Sequence, residues 1–203
     1  MHAEFLLKGV VIGLSIAAPV GPIGILCIRR SLRDGMGMGL ITGLGAATAD
    51  AAYGGVAGFG LTAVSGFLIR RQSWIGLIGG AFLCYLGVRT FLSRPSDDPA
   101  EDAGRTRALA AYGSTLLLTL ANPATILSFA VVFAAFGLGA SVGYAAAAAM
   151  VIGVFLGSAL WWLILSSGVS LVRTRVNPPA MRMVNRVSGT VLVAFGIYAL
   201  TRW

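Results

Sequence analysis

The chain has 203 residues, of which 57% are apolar and only 11% charged, and its mean hydropathy is +0.87. A soluble domain carries roughly a quarter charged residues, so the composition excludes an ordinary water-soluble protein and points to an integral membrane protein. The net charge of +8 would suggest a nucleic-acid partner in a soluble chain. Here the basic residues flank apolar runs, where they report orientation and headgroup contact, and no nucleic-acid partner is expected.

Apolar runs long enough for a helix to cross a hydrocarbon core, about 20 residues, recur along the chain. Residues 9–28 carry no charge, 35–69 carry only Asp50, and 72–88, 108–172 and 187–201 carry none. The run from 108 to 172 is too long for one span and needs a hairpin, which the glycine-rich stretch 137–143 supplies. Six transmembrane helices are expected, near 5–28, 38–64, 73–92, 109–136, 143–167 and 182–202. The runs are continuous rather than alternating, which argues against a β-barrel.

The first span contains Ala17-Ala18-Pro19-Val20-Gly21-Pro22-Ile23. Pro19 and Pro22 each lack an N–H and crowd the carbonyl one turn earlier, so a helix must kink or open there. At membrane depth, freed backbone groups are tolerated only where protein buries them or a wet cavity meets them, and such broken helices mark transporter binding sites. Pro19, Gly21 and Pro22 are therefore candidate site residues. The segment is too long and too broken for a secretory signal, and it is expected to stay attached.

A basic turn, Arg29-Arg30-Ser31-Leu32-Arg33, leads into the second span, where Asp50 stands fifteen residues from one end of its uncharged window and nineteen from the other. A carboxylate near the bilayer centre costs about 2.5–3.5 kcal/mol on insertion scales, so it must face the bundle interior and pair, bind a cation or hold a proton. No basic residue lies at that depth in the sequence. Helical spacing places Ala46, Ala47, Tyr53 and Gly54 on the face of Asp50, leaving room for a solute or for a close helix.

Residues 93–108 form the polar linker, with Asp97, Asp98, Glu101 and Asp102 among three arginines, two prolines and a glycine, and are expected to be a solvated connection. They divide the chain into residues 1–92 and 109–203, three spans each. The second half opens with its own break, Leu120-Ala121-Asn122-Pro123-Ala124, which adds Asn122 and Pro123 to the candidate site. Two related halves with an odd number of spans must lie in the membrane in opposite senses, so the expected architecture is a pair of inverted three-helix repeats. Eleven basic residues flank the odd-numbered loops and four lie on the opposite side, which places those loops in the cytoplasm and both termini outside.

These residues together resemble the LysE-type, or RhtB-type, amino-acid exporters. The likeness covers the whole chain: Pro19-Val20-Gly21-Pro22 is similar to the family's proline-glycine-proline element, the basic turn to its next block, Asp50 after Gly43 and Gly45 to its acidic position, and Asn122-Pro123 to its Asn-Pro element. Trp161-Trp162 also looks family-like, although aromatics in a span serve packing more often than function. The chain departs from the pattern at Ala124, where a lysine is usual. The resemblance implies a bacterial inner-membrane exporter, moving an amino acid or close derivative outward against inward protons, with no cofactor.

Two rival readings belong to other classes. A divalent-cation exporter has Asp50 as its one intramembrane carboxylate, where hard cations want six or more oxygens. An intramembrane thiol-disulfide electron carrier would use Cys27 and Cys84, which form no CxxC motif and no Cys/His cluster. Gly-xxx-Gly spacings at Gly9/Gly13, Gly39/Gly43, Gly54/Gly58, Gly76/Gly80 and Gly153/Gly157 allow close helix approach within a subunit or between two, so a homodimer is open.

Overall fold

The proline-rich stretch splits the first span into two helices. In the computed structural model, which describes residues 2–19, 21–59, 62–93, 104–122, 125, 128–129 and 143–201, α1 runs His2–Ala17 and α2 runs Pro22–Asp34. The last helical bond of the first segment is Ala18 N–H to the Leu14 carbonyl, 3.0 Å, because Pro19 offers no donor and disfavours the α conformation in the residue before it. Gly21 is extended and Pro22 occupies the first turn of α2, the helix position where a missing N–H is harmless. The two axes meet at 82°.

Helix α2 continues six residues beyond the expected end of the first span, so Arg29, Arg30 and Arg33 lie in its last turns rather than in a loop. This corrects the reading of Arg29 and Arg30 as simple interface markers: Arg29 is buried and Arg30 half-buried. Gly35, at φ +95°, makes the left-handed turn into α3, Met36–Gly58, a backbone state that a side chain would strain. The next helix, α4, runs Thr62–Phe91, starting eleven residues earlier than expected and carrying Arg70 and Arg71 on its exposed surface.

Helix α5, Gly104–Leu120, begins inside the stretch expected to be linker, so residues 104–108 are helical rather than a solvated connection; α6 is Tyr144–Val172 and α7 is Pro178–Thr201, with a short 3-10 turn at Arg173–Arg175 between the last two. Most of the linker and most of residues 123–142, including Pro123 and all of the hairpin expected at 137–143 but Gly143, lie outside the described residues. The described residues contain no strand. Among the described residues, three helical stretches are long and apolar enough to cross a membrane, Ser73–Phe91, Tyr144–Arg175 and Pro178–Thr201, and the bent pair α1 with α2 makes a fourth if taken as one broken span. Helix α3 has the length, at 23 residues, but Asp50, its threonines and its glycines lower its hydropathy.

Helices α5, α3, α6 and α1 pack side by side in that order, α4 pairs with α7, and α2 lies across α3, α6 and α7. Close backbone approach defines two seams. A Cβ at Gly9 would collide with the Met150 carbonyl oxygen and one at Gly13 with that of Val154; reciprocally, Cβ atoms at Gly153 and Gly157 would meet the Leu6 and Val10 carbonyls. The two Gly-xxx-Gly faces therefore serve each other within one chain. Between α4 and α7, a Cβ at Gly80 would stand 3.0 Å from the Gly196 carbonyl oxygen and one at Gly87 2.8 Å from that of Gly189.

The α1/α6 seam predicts a sharp contrast along α6. Gly157→Leu should destabilise the detergent-solubilised protein by about 3 kcal/mol or more, since the obstacle is backbone that cannot rotate away. Gly168→Ala, where nothing lies within 4 Å, should stay within about 0.5 kcal/mol. Thermal melting of both variants reads the difference; equal melting points would mean that the seam is not closed.

Candidate functional site

Asp50 lies on the interior face of α3, at 3% exposure. The α6 residues Ser158, Trp162 and Ser166 recur every four residues and form a buried stripe toward α2 and α3. Ser158 Oγ donates to Asp50 Oδ2 at 2.7 Å, and Trp162 Nε1 donates to Ser158 Oγ at 3.1 Å. The indole thus fixes the hydroxyl so that its proton points at the carboxylate. Among the described residues no cation pairs with Asp50, so it has a neutral donor and no counter-charge, the arrangement that makes a buried carboxyl sensitive to a proton or an incoming ammonium group.

The first break walls one side of this chain of hydrogen bonds. Ala17 at the end of α1 and Cys27 of α2 pack with Ala46, Ala47 and Trp162, and Ile23 in the first turn of α2 closes on the same cluster. The small residues beside Asp50 therefore admit a close helix in this conformation. Pro19 itself is exposed, whereas Gly21 and Pro22 are half-buried, and the Gly21 carbonyl accepts the Ile25 N–H at 3.1 Å.

The second break meets the other side of the same α3 face. Helix α5 stops at Leu120, the Asn122 N–H bonds back to the Thr119 carbonyl at 3.2 Å, and the Thr125 N–H reaches the Asn122 carbonyl at 3.1 Å. At the end of α5, where helix carbonyls take partners from outside the helix, the hydroxyl of Tyr53, one turn after Asp50, donates to the Leu120 carbonyl. The Tyr53 ring packs with Phe129 at 5.7 Å between centroids. Tyr112 of α5 adds a second link, its hydroxyl donating to Thr48 Oγ1 at 2.8 Å. One face of α3 thus joins the first break, Asp50 and the end of α5. Pro123 lies outside the described residues.

Three partners escaped sequence reasoning: Ser158, the capping role of Tyr53, and the fixing role of Trp162. The hydroxyl stripe in an otherwise apolar helix was the available signal for Ser158. The cysteines belong to separate surroundings. Buried Cys27 lies 3.4 Å from both the Gly39 carbonyl and Ser166 Oγ, while Cys84 lies 3.9 Å from the Val193 carbonyl on α7, and both thiols are free. Among the described residues no cluster of three or more His, Cys, Asp or Glu side chains offers a metal-ligand set.

The model of the LysE type translocator family matches residues 14–202. The chain belongs to the LysE-type translocator family. As such it is a multi-pass membrane protein of a transporter family, as its apolar helices require. Over 197 residues, 95% of this chain and 93% of the relative, it is 28% identical to the Bacillus subtilis (strain 168) protein named "Putative amino acid efflux protein YcgF". Over 203 residues, 98% of this chain and 88% of the relative, it is 28% identical to the "Uncharacterized membrane protein YahN" of Escherichia coli (strain K12). No solved structure matches this LysE-type chain.

The bond between Asp50 and Ser158 predicts energetic coupling. In a thermal-stability cycle of Asp50→Ala, Ser158→Ala and the double variant, the coupling should fall at about 0.5–3 kcal/mol, the range for groups sharing one hydrogen-bond network. Strict additivity would mean that the bond does not form in the folded protein.

Proposed function

We propose that this LysE-type translocator is a secondary exporter of amino acids or close derivatives across the bacterial inner membrane, driven by proton influx, with its site where the two helix breaks flank Asp50. The observation that carries this reading is the buried carboxylate without a counter-charge, joined through one face of α3 to both interrupted segments. Asp50 is the group that meets the substrate ammonium or exchanges the coupling proton. Backbone groups around Pro19, Gly21, Pro22, Asn122 and Pro123 hold the polar parts of the substrate. The family match and the name of the Bacillus subtilis relative support export of this substrate class.

Helix pairing supports the inverted-repeat plan, with residues 1–92 and 109–203 as its halves. Exchanging the halves would map α1 onto α5, α3 onto α6 and α4 onto α7. The α1/α6 pair then becomes the α5/α3 pair, while α3/α6 and α4/α7 map onto themselves, and all four are packed pairs. Directions agree as well. Gly9 lies on Met150 and Gly13 on Val154, so α1 and α6 run parallel; Gly45 lies on Tyr112 and Tyr53 reaches Leu120, so α3 and α5 run parallel. Asp50 with Ser158 and Gly43 with Trp162 make α3 and α6 antiparallel.

Asp50 is closed off in this arrangement, so transport needs a moving part. Helix α2 is the natural one: a rod between Gly21 and Gly35 whose first turns cover the wall beside Asp50. Its far end is held by Arg173, which donates from Nε to the Leu32 carbonyl and from Nη2 to the Arg33 carbonyl, each at 3.2 Å.

Efflux of a panel of labelled amino acids from preloaded vesicles tests the reading, with Asp50→Asn compared at matched membrane abundance. One or a few amino acids should leave the vesicles, efflux should slow when the proton gradient is dissipated, and Asp50→Asn should bring it to background. Undiminished efflux in Asp50→Asn would remove Asp50 from the mechanism, and no efflux of any panel member would refute the substrate class.

A further inference from the structure

Adjacent arginines of α2 reach in different directions. Arg29 donates from Nε to Asn185 Oδ1 at 2.8 Å and from Nη2 to Ser93 Oγ at 2.7 Å, and Asn185 Nδ2 donates to the Ser93 carbonyl at 3.1 Å. That ring ties α2 to the α4/α7 pair. Arg30 turns instead toward α3 and α5, the helices that carry Asp50 and lead to the second break. Its Nη1 donates to Thr42 Oγ1 at 3.1 Å, the Ala111 carbonyl at 3.0 Å and Thr115 Oγ1 at 3.1 Å, and its Nη2 to Ser114 Oγ at 3.0 Å.

Among the described residues, every hydrogen-bond acceptor of Arg30 is neutral. The acidic residue one turn later on its helix, Asp34, pairs with Arg33 at 3.6 Å. The cradle hydroxyls also have their own helix bonds: Thr42 donates to the Met38 carbonyl at 2.8 Å, and Ser114 and Thr115 to the Ala111 carbonyl at 3.1 and 2.9 Å. They hold the guanidinium by lone pairs alone, and they keep their proton acceptors if it turns away. The result is a positioned cation with no carboxylate among its hydrogen-bond acceptors. A carboxylate would offer it a bidentate, charge-assisted pair stronger than any of these neutral bonds.

We propose that Arg30 is the residue that recognises the substrate's carboxylate, which makes a free carboxylate, and not only an ammonium group, a requirement for transport. This rests on the amino-acid export reading above. Thr42 precedes Asp50 by eight residues, about 12 Å along the helix axis. An α-amino acid carries both charged groups on one carbon, so in this closed arrangement Arg30 and Asp50 serve successive positions on the path rather than one pose. Arg29, with its fork closed by Asn185 and Ser93, is the structural member of the pair.

Vesicles loaded with the labelled amino acid that moves fastest, together with either the same unlabelled amino acid or its α-carboxamide, test the assignment. In the unaltered protein the free acid should compete better than the carboxamide by about tenfold or more, the scale of one charge-assisted pair. In Arg30→Gln the ratio should fall to near unity, and Arg30→Lys, which keeps the charge but loses the fork, should give an intermediate ratio. Arg29→Gln should change abundance or rate for both competitors without changing the ratio. Equal competition in the unaltered protein, or a ratio unchanged in both Arg30 variants, overturns the proposal. If Arg30→Gln does not accumulate in the membrane, Arg30→Lys decides alone: a reduced ratio supports the assignment and an unchanged one overturns it. Absence of any amino-acid efflux would refute the exporter reading and this assignment with it, whereas indifference to the carboxamide in a working exporter refutes only the role of Arg30.

Discussion

Asp50, a carboxylate taken out of water with no counter-charge among the described residues, organises the bundle around it. Asp50 is tolerable in the bundle because Ser158 donates to it and Trp162 orients Ser158, but one neutral donor does not replace the hydration or the cation that a buried carboxylate would otherwise have. The site is therefore poised to take up charge. Everything around it follows from how close the helices must come: Ala46 and Ala47 are almost fully buried against the end of α1 and Trp162, and bulkier residues there would force α3 away from α6 and break the bond to Ser158.

Rigid and movable parts are separated by the same economy of side chains. Where α1 meets α6 and α4 meets α7, glycines let the backbones touch, and such seams shear little because there are no side chains to repack. Where α2 joins its neighbours, Gly21 and Gly35 flank a thirteen-residue rod that buries Leu26 and Cys27 in apolar clusters and adds polar attachments through Arg29, Arg30 and Arg173. Polar attachments to neutral acceptors can be exchanged for others. A scaffold held by backbone contact and a rod held in part by exchangeable hydrogen bonds is a workable division for the transport cycle proposed above.

The parts legible in the sequence were those with local causes. Pro19 and Pro22 end one helix and begin another by their own chemistry, the stop of α5 is written in Asn122-Pro123, and the isolation of Asp50 in an apolar window already required an interior position. Boundaries inside continuous apolar sequence were not legible: α3 ends at Gly58 and α4 begins at Thr62 with no charged residue to mark either end, and Arg70-Arg71 does not interrupt α4. Partners distant in sequence were equally hidden. Ser158, 108 residues from Asp50, and Asn185, 156 residues from Arg29, are brought near by packing that no spacing rule encodes. The arginines of α2 were misread for a related reason, since a charge at the end of an apolar run serves an interface unless the fold supplies buried acceptors. The Gly-xxx-Gly faces were visible as a pattern, but only the fold assigns Gly9 and Gly13 to α6.

In the proposed cycle the neighbourhood of Asp50, closed in this conformation, opens during transport. Reaction of a membrane-impermeant thiol reagent with Ser158→Cys, in a background carrying Cys27→Ser and Cys84→Ser, with and without a transported amino acid, reads that opening. Labelling should be slow in the resting protein and its rate should change when the amino acid is present. A thiol at 158 that never reacts, from either side of the membrane and with or without substrate, would make the Asp50 face a permanent packing core and contradict that cycle.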